Sequence, residues 1–181
     1  MAAIDFITAF GQLLHDGSLR DAFAANPGMV AARLNLQDEG RAALLELIPE
    51  DLEFQARVLL RKRLDIVRQV IPETCRRLQT SEWPMFYEYS RNNWPGNGDP
   101  IGSDAHNFCR HLKRVDPRPV CQAEWNRLEF AFSKRRLAIR RVDCNGAGNK
   151  SKASLQFFLR LRRQHWHEFH FYFGLKRSGP D

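Results

Sequence analysis

Near residue 134 the spacing of apolar side chains changes from about 3.6 residues to two, which marks a switch from helices to strands. Upstream, Phe6, Ile7, Phe10, Leu13 and Leu14 recur at helical spacing, and Gly17 is expected to stop that helix. Ser18 then caps a short helix over Leu19 to Ala25. Asn26-Pro27 ends it and opens another through Met29, Val30 and Leu34. Leu44, Leu45, Leu47 and Ile48 lie on the next helix, ahead of Pro49. The longest periodic segment runs from about 50 to 79. Leu52, Ala56, Leu59, Leu60, Arg63, Leu64, Val67, Val70 and Ile71 trace its mainly apolar stripe, with Arg57, Arg61, Lys62, Asp65 and Arg68 on the opposite side. Pro72 should bend it or end its first part. Ser81 and Glu82 open an aromatic helix holding Phe86, Tyr87 and Tyr89. Residues 94–102, WPGNGDPIG, are dense in turn formers and read as a loop. Ser103-Asp104 reads as the cap of a helix bearing Phe108 and Leu112. Pro117 and Pro119 end it, and Pro119 suits the first turn of a further helix with Val120, Trp125, Leu128, Phe130 and Phe132.

Downstream of the switch, Leu137 and Ile139 alternate with Arg136, Ala138 and Arg140. Leu155, Phe157, Leu159 and Leu161 alternate with Gln156, Phe158, Arg160 and Arg162. Phe169, Phe171, Phe173 and Leu175 alternate with Glu168, His170, Tyr172 and Gly174. A Gly/Asn-rich turn at 144–149 and the short link Arg163-Gln164-His165 join them, so an antiparallel meander is expected. Its aliphatic and aromatic face is expected to pack on helices, and the other face carries Arg140, Arg160, Arg162, Glu168, His170 and Tyr172. The fold class is therefore α+β: a helical N-terminal domain, then a C-terminal three-stranded antiparallel sheet packed on helices. The expected division is 1–95 and 103–181, with the loop at 94–102 between. A three-stranded sheet has two edges, and an edge can accept an extended peptide as an added strand. The last strand, about 166–175, is the expected receiving edge, and the first, about 136–143, competes with it.

Composition narrows the function. The chain has 181 residues and a net charge of +7. Residues 1–109 carry eleven basic and fifteen acidic side chains, and residues 110–181 carry seventeen and six. The basic excess thus belongs to the C-terminal part and suits an acidic peptide, an acidic protein or nucleic acid. No run of about 18 apolar residues is present, so no membrane partner is expected. The start, Met-Ala-Ala-Ile-Asp-Phe, lacks the basic region of a secretory signal. Together with sparse cysteines at 75, 109, 121 and 144, that points to a cytoplasmic protein with free thiols. His106-x-x-Cys109-x-His111 with Cys121 nearby is the one loose metal-like cluster, and His165, His167 and His170 alternate across a strand rather than converging. No phosphate-binding, nucleophile-elbow or zinc-protease motif occurs, and no carboxylate pair stands out in the basic half. A binding subunit with no catalytic and no metal-ligating residues of its own fits this pattern best. A nucleic-acid-binding protein is the main rival, because aromatics interleave with the basic tail.

Several stretches carry a resemblance. FGQLLHDGSLRDAFAANPGMVAARLNL, LLRKRLDIVRQVIPETCRRL and AEWNRLEFAF resemble the helical region of partner proteins that accompany multinuclear non-haem iron peptide-modifying enzymes. SEWPMFYEYSRNNWP and the tail ending FHFYFGLKRSG are most similar to the MbnC family, the partner subunits of methanobactin biosynthesis. The similarity covers nearly the whole chain, and its helical part is shared by several partner families. It implies a heterodimer with an MbnB-like TIM-barrel oxidase that carries the iron cluster, leaving this chain without a cofactor. It implies a second partner, an MbnA-like ribosomal precursor peptide, whose cysteines the pair converts with dioxygen to oxazolone and thioamide groups that later bind copper. The leader of that peptide would be held partly by strand addition. On the residue pattern, Arg140, Arg160, Arg162, Trp166, Glu168, His170 and Tyr172 are the candidates to contact it.

Overall fold

The computed structural model describes residues 4–95, 100–144, 152–162 and 165–173. The helices are α1 (Phe6–His15), α2 (Gly17–Ala25), α3 (Pro27–Arg33), α4 (Asp38–Leu45), α5 (Pro49–Val70), α6 (Pro72–Leu78), α7 (Glu82–Ser90), α8 (Pro100–Val115) and α9 (Gln122–Phe132). The strands β1 (Leu137–Cys144), β2 (Lys152–Arg162) and β3 (His165–Phe173) follow, so the switch of period near residue 134 is a switch of structure.

Local chemistry explains the helix boundaries. Asp5, Asp16 and Asn26 each accept from the backbone N–H three residues on, at 2.7, 3.0 and 3.0 Å, and so open α1, α2 and α3. Asp16, not Ser18, is therefore the cap of α2, and Gly17 is its first residue rather than the stop of α1. Gly17 is glycine for packing: its N–H donates to the Arg91 carbonyl at 2.8 Å, and a Cβ there would sit 2.9 Å from that same oxygen. Pro72 separates α5 from α6, as its missing N–H requires. Two other boundaries correct the sequence reading. Helix α8 starts at Pro100, which puts Asp104 inside it rather than at its cap, and α9 starts at Gln122, beyond Pro119.

The helices enclose two apolar clusters. The first joins Ala9, Leu13, Leu19, Phe23, Val30, Ala31 and Leu44 to Leu52 at the start of α5. The second joins Leu64, Val67 and Ile71 from the end of α5 to Cys75, Phe86, Tyr89, Phe108, Leu112 and Leu128, drawing on chain from both sides of the 94–102 segment. Helix α5 thus runs through both and ties them. Ile7, counted on the α1 stripe by its spacing, is 79% exposed.

Buried polar joints lock the elements. Arg63 on α5 makes a two-pronged ion pair with Asp104 on α8, its Nε and Nη2 3.0 and 2.9 Å from the two carboxylate oxygens. Tyr89 donates its hydroxyl to the same carboxylate at 2.9 Å. Glu124 on α9 accepts from the Glu73 and Thr74 backbone N–H groups at 2.7 and 2.9 Å and from the Thr74 hydroxyl at 2.6 Å, capping α6 from another element. The Thr74 hydroxyl accepts in turn from the Cys121 N–H at 2.9 Å.

The sheet is antiparallel with order β1-β2-β3, as the meander reading expects. Its orientation reverses that reading. Phe158, Gln156 and Ser154 on β2 and Val142 on β1 are buried toward α9, together with half-buried Arg160, Trp166 and Glu168. Leu137, Ile139, Leu159, Leu161, Phe169 and Phe171 face the other way and are exposed. The reason lies in α9. Its inner side offers Asn126, the Ala123 carbonyl and the carbonyls of its open C-terminal end. Gln156 and Arg160 hydrogen-bond to these groups, which an aliphatic face could not do.

Candidate functional site

Among the described residues the sheet has its edges at β1 and β3, and its two sides have different chemistry. On the α9 side a polar chain crosses from helix to edge. The Gln122 amide donates to Asn126 at 2.8 Å, Asn126 donates to the Gln156 side-chain oxygen at 2.9 Å, and the Gln156 amide donates to Glu168 at 2.8 Å. Nε2 of His170 lies 2.7 Å from the same Glu168 oxygen, and His170 is exposed on the strand at the sheet's edge. Gln156 is fully buried and also donates to the Ala123 carbonyl at 3.1 Å. Such a fully hydrogen-bonded amide fixes the register of β2 on α9 and holds Glu168 toward the β3 edge. The sequence reading missed Gln156 and Asn126. Their signal was two amides set among aromatics, at Trp125-Asn126 and Leu155-Gln156-Phe157.

The candidate residues separate into three roles. Arg160 donates to the carbonyls of Ser133, Phe130 and Ala131 and lies 5.0 Å from the Phe130 ring centre, so it closes the C-terminal end of α9. Trp166 meets Phe130 edge-on and tilts against Phe158, at 5.8 and 5.9 Å between ring centres, so it packs the sheet onto the helix. Glu168 and His170 form the pair at the β3 edge. Arg140 is exposed on β1 and lines a cavity of about 140 Å³ with Asn126, Glu129, Phe130, Ser133, Arg135 and Ala138. The backbones of Arg162 and Tyr172 belong to β2 and β3, and their side chains lie outside the described residues. The structure therefore brings Arg160, Trp166, Glu168, His170 and Arg140 to one side of the sheet, the side that packs on α9.

On the opposite side three cross-strand rows have their side chains among the described residues, and the backbone register continues them with a fourth, Asp143, Ala153 and Phe173. Ile139, Phe157 and Phe169 form the middle row, Leu137, Leu159 and His167 one flank, and Arg141, Leu155 and Phe171 the other. Phe157 and Phe171 meet edge-on at 5.1 Å. His167 thus stands on the outer face and His170 on the inner one.

The loose metal-like cluster does not assemble. His106 turns to Glu129, 2.7 Å away, between the rings of Trp125 and Phe132. Cys109 is fully buried, and burial pushes its thiol up to about 12. Burial raises the Cys75 thiol as well, so neither supplies a thiolate near neutral pH. Among the described residues no three His, Cys, Asp or Glu side chains are placed to hold a metal ion, and no helix is long and apolar enough to cross a membrane. No family model, curated protein or solved structure matches this chain.

Proposed function

We propose that this chain is the binding subunit of a two-protein peptide-modifying system. It pairs with an MbnB-like TIM-barrel iron oxidase and holds the leader of an MbnA-like ribosomal precursor. The oxidase then converts precursor cysteines to oxazolone and thioamide groups with dioxygen, as in methanobactin biosynthesis. The iron belongs to the partner. The observation that carries this reading is the three-strand sheet ending at β3. The outer N–H and C=O groups of such a strand can pair with an incoming backbone, which supplies affinity without demanding a particular sequence. Specificity then comes from alternate side chains: an added strand would set every second residue beside Trp166, Glu168 and His170, and the others beside His167, Phe169 and Phe171.

The deciding experiment is co-expression with the protein encoded beside this chain, followed by gel filtration and metal analysis. The expected result is a stable heterodimer that contains iron, while this chain alone is metal-free. Adding the precursor peptide and air should then consume its cysteine thiols. A chain that elutes alone, metal-free and bound to nucleic acid would sink the reading and favour a nucleic-acid-binding role.

A further inference from the structure

We infer that the cavity between β1 and α9 binds a single carboxylate, carried on an aspartate or glutamate side chain of an extended peptide. The inference goes beyond the partner-subunit reading. The site lies at the β1 edge, across the sheet from β3, and stands or falls without that reading. Its space comes from the sequence of β1. Val142 is buried against α9, whereas Ala138 on the same face offers only a methyl group to the joint. Buried Phe130 gives the cavity an apolar wall. Its volume of about 140 Å³ suits one side chain. A pocket for a whole small molecule normally starts at about 300 Å³.

Arg135 and Arg140 supply the charge. On the helical body Arg63, Arg68 and Arg91 are paired with Asp104, Glu82 and Asp21. Neither Arg135 nor Arg140 has a carboxylate partner among the described residues, and Arg140 donates to the neighbouring Ile139 carbonyl at 3.2 Å. The one acid of the lining, Glu129, is held by His106, 2.7 Å away. Arg160 backs the wall at Ser133 and Phe130. Its charge meets their carbonyls there, and its buried Nε has no acceptor among the described residues. Two guanidiniums against one carboxylate leave a single positive charge to be answered, so a monoanion fits better than a phosphate dianion. A phosphodiester is a monoanion too, but sugars flank it on both sides, and it cannot enter so small a cavity end-on as the tip of a side chain can. The β1 edge favours a peptide as the carrier. Ala138 and Arg140 belong both to the cavity lining and to an edge strand, so a peptide paired along β1 would set an alternate side chain at the mouth.

The test titrates the full chain, followed by NMR, with two pools of capped hexapeptides. The pools are random apart from one central residue, Glu in one and Gln in the other. Acetate and a single-stranded DNA oligonucleotide are the further probes. The variants are Arg135→Gln/Arg140→Gln and, to fill the cavity, Ala138→Leu. Both arginines are exposed, so their double variant should keep the helical circular dichroism of the wild type. The Glu pool should shift the Ala138 methyl signal and bind roughly tenfold more tightly than the Gln pool. That preference should disappear in the arginine variant, and Ala138→Leu should abolish binding at the site. Should Ala138→Leu misfold, the arginine variant decides alone. Equal binding of the two pools, a Glu preference that the arginine variant retains, or an Ala138 signal that no probe moves overturns the inference. Acetate that binds as tightly as the Glu pool assigns the site to a free carboxylate and overturns the peptide as its source. DNA that moves the Ala138 signal at lower concentration than the Glu pool overturns the inference in favour of nucleic acid. Failure of the pools leaves the β3 edge and the iron-enzyme partner untouched, because neither uses this cavity.

Discussion

In the helical body apolar side chains turn inward, and charges such as Arg63, Asp104 and Glu124 are buried inside closed networks. In the sheet the direction reverses: Gln156, Ser154 and Arg160 turn toward α9 while Phe169, Phe171 and Leu161 face solvent. The body spends its apolar surface on its own stability. The sheet is fastened mainly by Phe158, Trp166, Phe130 and a set of hydrogen bonds, so its outer apolar side chains contribute little to folding. That division lets association be altered without unfolding the chain.

The largest expected effect falls on the body. Asp104→Ala leaves the Arg63 guanidinium buried without its carboxylate and removes the acceptor of Tyr89. Breaking such a pair costs about 3 to 5 kcal/mol, read as a lower urea midpoint at unchanged slope. A loss below about 1 kcal/mol would mean that water reaches Arg63, and the body would then resemble the sheet more than the comparison allows. Next is Phe158→Ala, which empties the one fully buried aromatic position of β2 and should cost about 3 kcal/mol. The same measurement on Phe157, its neighbour on the other face, should give a smaller loss. Equal losses would remove the distinction between the two faces.

The sequence revealed the elements better than their orientation. Helices α3, α5 and α6 were legible because Pro27, Pro49 and Pro72 stand at their first positions, and the strands because their alternation is strict. The buried face of the sheet was not legible. Alternation shows that two faces differ, and hydrophobicity assigns the apolar one to the core only when the opposing surface is apolar. Here that surface is the carbonyl-rich end of α9 with Asn126, a property of the assembled helix. For the same reason Arg160 read as a ligand contact, although it holds Phe130, Ala131 and Ser133 carbonyls. Asp104 read as a cap because its neighbour Ser103 suits one. Its true partner, Arg63, is 41 residues away.

Arg160→Ala should cost about 2 kcal/mol, since it frees several α9 carbonyls at a half-buried joint. Lysine at the same place should recover only part of that, because a single ammonium cannot span the fork. Full recovery by Lys would reduce Arg160 to a point charge and weaken the case for a built joint. Smaller still is the pH-dependent contribution of Glu73, whose carboxyl is held at about 2, below its ordinary 4.5, by hydrogen bonds from Arg76 and Arg77. The ionised form is the favoured one in the fold. Its contribution is therefore complete above about pH 4.5 and fades as the pH falls toward about 2. These are helix pairs three and four residues apart, so Glu73→Gln should cost below about 1 kcal/mol at pH 7. The gap to wild type should close by about pH 2 in a series of urea titrations. A gap that stays constant with pH would mean that the Glu73 charge contributes nothing to it.

The smallest stability effect should come from the most exposed large apolar side chain described on the outer face. Leu161 is 65% exposed, and threonine keeps a residue that favours a strand. Leu161→Thr removes apolar area that already lies largely in water, so stability should change by no more than about 0.5 kcal/mol. The informative quantity is therefore solubility. If the outer face is held ready for a partner, lowering its apolar character should raise the concentration at which the isolated chain stays monomeric in light scattering. A destabilisation of about 2 kcal/mol would instead show that Leu161 packs within this chain, and the contrast between the inward-facing body and the outward-facing sheet would lose its most exposed member.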